Sequence, residues 1–367
     1  MESSDELYKA MNTDAVIAFL LAVSAAIAIK LPALLGIYIH ENTGIYARNL
    51  SLFVLPFLTG YFAWKRGAST FNLSWIVLAF AVAAFFANVY PFVPNGNTEM
   101  LTALHLIIAL WLVVGIAYAG GRWDKIRERM DFIRFSGELF IYYVLIALGG
   151  GVLMAFMVQI FGSIGIDIEP FFRSWLLPCG AVGAVLIASW LADAKQGVME
   201  NMAPLLAQLF TPLFAIVLLV FLGTIVWTGR GINIERNVLI AFDLLLAVVL
   251  GMLLYSVSAR DHQSKPGVFD ILLVVLIISA LFADTIALWA IAERITEFGL
   301  TPNRVAALGE NGILLVNLAW SAVLYIRFIK GRGSFARLEQ WQTNYLPVYA
   351  IWAAIVVIVF PPVFGYI

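Results

Sequence analysis

Cysteine, histidine and charge are what this sequence has least of. Its single cysteine, Cys179, excludes an internal disulfide, and three histidines without Cys/His spacing offer no structural zinc site. Charged residues make up 12% of the 367 positions, where a soluble domain carries roughly 25%. The 22 basic and 23 acidic residues nearly cancel, to a net charge of −1. That balance provides neither a nucleic-acid surface nor an acidic tail. No GxxxxGK[ST] sequence occurs, which disfavours nucleotide-driven transport, and no cofactor or metal motif is found.

What fills the chain is apolar: 62% of residues are hydrophobic and the mean hydropathy is +0.94. A bilayer core about 30 Å thick needs roughly 20 apolar residues per helix, and about eleven stretches qualify. They are residues 15–38, 50–64, 73–92, 101–119, 137–161, 175–192, 204–227, 238–257, 268–291, 305–328 and 345–364. Runs such as ILLVVLIISALFA are apolar on every face rather than alternating, so they predict helices and not barrel strands. The expected fold is an all-α polytopic transmembrane helix bundle, one transmembrane helical domain over residues 1–367 without a soluble domain. Its first partner is the lipid bilayer. The leader carries Glu2, Asp5 and Glu6 against Lys9, the wrong charge for a signal peptide, so the first helix is expected to be retained.

With the N-terminus cytoplasmic and the C-terminus outside, fifteen Lys and Arg fall on inside segments and six on outside ones, the asymmetry of the positive-inside rule. Lys9 and Lys195 count inside, Arg230 outside. In GRWDKIRERMDFIRF, Trp123, Ile126, Met130 and Ile133 recur at helical spacing against basic residues, which predicts an interfacial helix. Arg122, Lys125, Arg127 and Arg129 are the candidates there for facing anionic lipid, against ordinary positive-inside anchoring.

A charge inside a bilayer costs several kcal/mol unless paired or hydrated. Asp243, Asp284 and Glu310 lie on three successive predicted helices, roughly 8 to 11 Å below the predicted outer ends at 1.5 Å per residue. Equal depth on neighbouring helices predicts one shared acidic site for an ion or substrate; the bland alternative is acids hydrogen-bonded to neighbouring helices or paired with Arg294 or Arg304. Lys30, Asn88 and His105 lie at compatible depths, Lys30 as a counter-charge and His105 as a proton carrier or an ordinary hydrogen-bonded histidine, and Asn317 is a further candidate for the site. Glu310, Asn317 and Ser321 form one helical stripe expected to face protein. Gly309 and Gly312 mark either a locally opened helix or close packing. Glu138, Asp193 and Lys195 are expected to snorkel to water from predicted inner ends.

The turn GLTPN reads as helix punctuation. Gly299 ends one helix, Thr301 or Asn303 caps the next, and Pro302 pre-sets its first turn. Glu293, Arg294, Glu297 and Arg304 ring that outer turn. ERITEFGLTPNRVAAL, residues 293–308, and NYLPVYAIWAAIVVIVFPPVF, residues 344–364, resemble a bacterial inner-membrane family known only as domain-of-unknown-function 4153. The resemblance implies a multi-pass protein of the bacterial cytoplasmic membrane and brings no established chemistry.

Two functions compete. One is permease-like handling of a small solute, ion or lipid through the acidic site. The other is a non-transporting scaffold or sensor whose outer turn binds an extracytoplasmic partner. Two aspartates can activate water in an enzyme, but only when both reach a common water, and no motif here sets that geometry. No catalytic residue is assigned.

Overall fold

The computed structural model describes residues 4–39, 41–163, 166–194, 211–216, 218–220, 222–223, 227, 236–260 and 264–367. Every regular element among them is helical: α1 (Ser4–Leu34), α2 (Thr43–Lys65), α3 (Thr70–Val89), α4 (Asn97–Tyr118), α5 (Ile126–Ser163), α6 (Glu169–Ala194, with a wide π turn over Phe172–Leu176), α7 (Arg236–Ser258), α8 (Val268–Phe298), α9 (Pro302–Ile329), α10 (Ala336–Ile358) and the short α11 (Phe360–Val363). Eight of these, α1, α3 to α6 and α8 to α10, are long and apolar enough to cross a membrane. The chain is a multi-pass membrane protein. The expected span 204–227 lies largely outside the described residues, as do Lys195, Arg230 and the side chain of Lys9.

Helix ends fall where the local chemistry puts them. Ser69 accepts a hydrogen bond from Asn72 N–H at the start of α3. Thr301 accepts from Arg304 N–H at the start of α9, with Pro302 at its first position. Gly299, at φ +77°, stops α8 and returns its N–H to Ile295 O. The loop before α8 is held by Asp270, which accepts from Gly267 N–H and pairs with Arg260. That guanidinium sits over both Phe328 and Phe335, 4.9 and 5.1 Å from centroids of rings that meet edge to face.

The chain divides into two compact units. The first comprises Met1–Asp124, Phe135–Met199 and Tyr366–Ile367; the second comprises Lys125–Arg134 and Glu200–Gly365.

In the first unit, α2 packs along α4 and α1 along α6. Phe62, Tyr118 and Phe135 meet ring to ring, with Tyr118 and Phe135 stacked at 4.8 Å. Asp193 does not snorkel: its side chain is 2% exposed and accepts from Lys65 at 2.5 Å and Arg66 at 2.7 Å, while Lys65 also reaches Asp14 at 2.6 Å. A charge at a helix end packed against two neighbours finds a cation before it finds water. Arg48 pairs with buried Glu99. The last two residues also dock here, Ile367 O accepting from Thr98 N–H and Tyr366 O from Val93 N–H. The N-cap of α4, Gly96, has no side chain to cap the helix, so Ile367 satisfies one of its orphan donors.

The expected interfacial helix is instead the first part of α5, which runs unbroken for 38 residues from Ile126. Met130 and Ile133 are buried rather than laid on lipid. Arg129 donates to Thr343 O and Asn344 Oδ1 in the second unit. It is therefore a packing residue and not a lipid-facing one, whereas Arg122, Lys125 and Arg127 are exposed.

In the second unit, α7 packs against α8, α9 and α10, and α8 lies along α9. Ala280, Ala283, Ala287 and Ala290 on α8 are all 2% exposed or less. Small side chains let backbones approach closely, which is how helices gain contact where lipid removes the hydrophobic drive between them.

Candidate functional site

The alanine face of α8 carries one interruption, Asp284, placed four residues after Ala280 and three before Ala287, so all three share a side. It is 0% exposed, and neither of its carboxyl oxygens has a hydrogen-bond partner. An ion pair is also lacking among the described residues. The group acting on it electrostatically is Asp243 of α7. Asp243 is half-buried and accepts a hydrogen bond from Asn311 Nδ2 at 2.9 Å. Asn311, on α9 and 1% exposed, donates through the same nitrogen to Ala307 O and leaves its Oδ1 unpartnered.

These three side chains form a site that presents oxygen acceptors almost exclusively. Its one donor, the Asn311 amide, is already engaged twice. Such a site repels anions and suits a proton or a cation, because buried acceptors without donors are costly until something positive supplies the missing interaction.

Sequence reasoning found two of the three. Asp243 acts electrostatically on Asp284, and Glu310 on Asp243. Yet no group of three or more Asp, Glu, His or Cys side chains among the described residues is arranged to hold a metal ion, so the three acids do not form one ligand set. Asp284 lies seven residues from the predicted helix end at residue 291, whereas α8 runs to Phe298. Fourteen residues, roughly 21 Å, separate Asp284 from that end. Asn311 was missed because it sits beside Glu310, whose charge drew the argument. The signal available was its neighbour's turn: Ala307 and Asn311 are i and i+4 on a face otherwise apolar.

The other expected members lie elsewhere. Asn317 is six residues from Asn311, about 120° around the helix. It belongs to a closed α9–α10 network, donating to Gln342 Oε1 and Tyr349 Oη and accepting at Oδ1 from Trp341 Nε1 and Ser321 Oγ. Gln342 Nε2 donates in turn to Ser321 Oγ. The stripe does face protein, but as structure. Lys30 belongs to the first unit, where it donates to Ser174 O and lies 4.4 Å over the Trp175 ring, so a carbonyl and an aromatic face replace the expected carboxylate partner. His105, 4% exposed in the same unit, has Nδ1 2.9 Å from Leu101 O within its own helix.

α9 is continuous through Gly309 and Gly312, so the helix is not opened there. Trp352 covers Gly309 so closely that an added Cβ would lie 2.0 Å from its ring. In the turn, Arg304 donates to Phe298 O and Gly299 O, neutralising carbonyls at the end of α8. Glu293 and Glu297 are exposed.

Compared with family models, curated proteins and solved structures, the chain matches none.

Proposed function

We propose that this multi-pass membrane protein is a permease-like carrier in which Asp243, Asp284 and Asn311 bind a proton or small cation and pass it across the membrane. One observation carries the reading: Asp284 is wholly buried with both carboxyl oxygens unpartnered. A residue that merely braced the bundle would be expected to find a donor, as Asn317 does, because an unsatisfied buried acid weakens a helix interface. A carboxyl kept without a fixed partner is available to a mobile one.

The setting belongs to the same proposal. Eleven spans, a cytoplasmic N-terminus and a bacterial cytoplasmic membrane are supported by hydropathy, by the asymmetry of basic residues and by the resemblance of residues 293–308 and 344–364 to an inner-membrane family. Exposed Arg122, Lys125 and Arg127 would then face anionic headgroups.

The test is ion flux into proteoliposomes holding a pH-sensitive dye, driven by a potassium gradient with valinomycin. Wild-type protein is expected to admit protons or, with a sodium indicator, sodium; Asp284→Asn, reconstituted to the same density, is not. Flux unaltered by that substitution would refute the reading.

A further inference from the structure

Asp243 and Asp284 differ in two respects that together assign them different tasks. Asp243 has a fixed donor, Asn311 Nδ2, and is partly exposed. Asp284 has no donor and no exposure. Asn311, which makes the difference, keeps its own carbonyl oxygen unpartnered.

We propose that the site's ligand is a proton, that Asp284 is the carboxyl that carries it, and that Asp243, positioned by Asn311, is the port through which it arrives. This rests on the carrier reading and names its ion. An ionised carboxylate accepts and never donates. Asp243 receives an N–H donor, which that form needs, and is partly exposed. Asp284 receives neither, so a mobile positive charge must complete it.

The donor set favours a proton over a metal ion. Calcium takes six to eight oxygen ligands and magnesium a near-ideal octahedron. Two carboxyls and one amide oxygen fall short of both, and no third acid joins them as a ligand among the described residues. A proton needs one oxygen. On arrival it bonds to a carboxyl oxygen of Asp284; the new O–H becomes a donor, for which Asn311 Oδ1 is an acceptor of the right kind. On departure the O–H bond breaks, the electron pair stays with Asp284, and the proton passes to a carboxyl oxygen of Asp243. The charges bearing on this exchange are few: Asp243 from α7 acts on Asp284, and Glu310 from α9 acts on Asp243. From α10, Tyr349 is committed to Asn317 and Tyr345 donates to Ile313 O.

Infrared difference spectroscopy on the full-length protein in lipid tests this without any transport assay. Wild-type protein should show a protonated-carboxyl C=O stretch that disappears as the pH is raised. Asp284→Asn should lose that band, Asp243→Asn should keep it, and Asp284→Glu, as a folding control, should restore it at a shifted frequency. Asn311→Ala should shift the band and slow its exchange. Absence of the band in the wild type, its survival in Asp284→Asn, its loss from Asp243→Asn alone, or its removal by sodium at fixed pH would each overturn the proposal, the last by making the ligand a metal cation. If the bands behave as expected but proteoliposomes pass no ions, the proton site stands and the carrier reading falls. Flux with the wrong band pattern gives the reverse.

Discussion

Replacing Asn317 with leucine should destabilise the second unit by an amount the network itself sets. The side chain takes part in four hydrogen bonds, two given and two received, and none of the residues Asn317, Ser321 or Gln342 is exposed. Hydrogen bonds between membrane helices average about 0.6 kcal/mol, so four of them contribute roughly 2 to 3 kcal/mol. Leucine has similar bulk and leaves little cavity, so the loss reports polar contacts and not packing. Gln342 and Trp341 are left with unpaired groups, which is why Asn317→Leu alone should cost more than its share in a double mutant with Gln342→Leu, where one orphan is removed with its partner. Unfolding in mixed detergent and dodecyl sulfate measures both. A single mutant within about 0.5 kcal/mol of wild type, or costs that simply add, would show that the network does not hold α9 to α10.

Other interfaces give sharper contrasts. Gly309→Val drives a side chain into Trp352, which an added Cβ would approach to 2.0 Å; overpacking of this kind costs about 1 to 3 kcal/mol, and Trp352→Leu should recover most of it in the same unfolding assay. Asp193→Asn leaves Lys65 and Arg66 facing a neutral amide. Because those two cations are 21% and 34% exposed, the loss should be roughly 1 to 3 kcal/mol, below that of a fully dry pair, and thermal aggregation in detergent would detect it; a variant melting with the wild type refutes the clamp. Cysteines placed at Ser264 and Thr301, with Cys179 replaced by alanine, should react with impermeant maleimide from opposite faces of the membrane, and labelling of both from the same face would refute the proposed topology.

The helices were legible and the partners were not. Hydropathy located ten of the eleven stretches on observed helices, because a segment in lipid must satisfy its own peptide groups whatever surrounds it. The turn at Gly299, Thr301 and Pro302 was legible for the same reason, since its chemistry is local. Depth was harder: α8 extends seven residues beyond the expected end at Ile291, because IAERITEF keeps helical hydrogen bonding after its hydropathy has fallen. Facing was harder still. Asn317 looked like a member of the acid site, yet rotation about α9 gives Asn317 to α10, and Asn311 to Asp243. Charge is visible in a string of residues, but which neighbour a helix turns toward is decided by packing.

The docking of Tyr366 and Ile367 on the loop before α4 imposes an order on biogenesis. Residues 366–367 leave the ribosome after residues 200–365, so Thr98 N–H cannot find the carbonyl that caps it until the whole second unit has been synthesised. Until then the first turn of α4 is short of an acceptor, and Gly96 has no side chain to supply one. The first unit is thus completed by two residues that follow the whole second unit in the sequence. Quality-control proteases scanning the newly made protein would meet an unfinished helix start until residues 366–367 have been made.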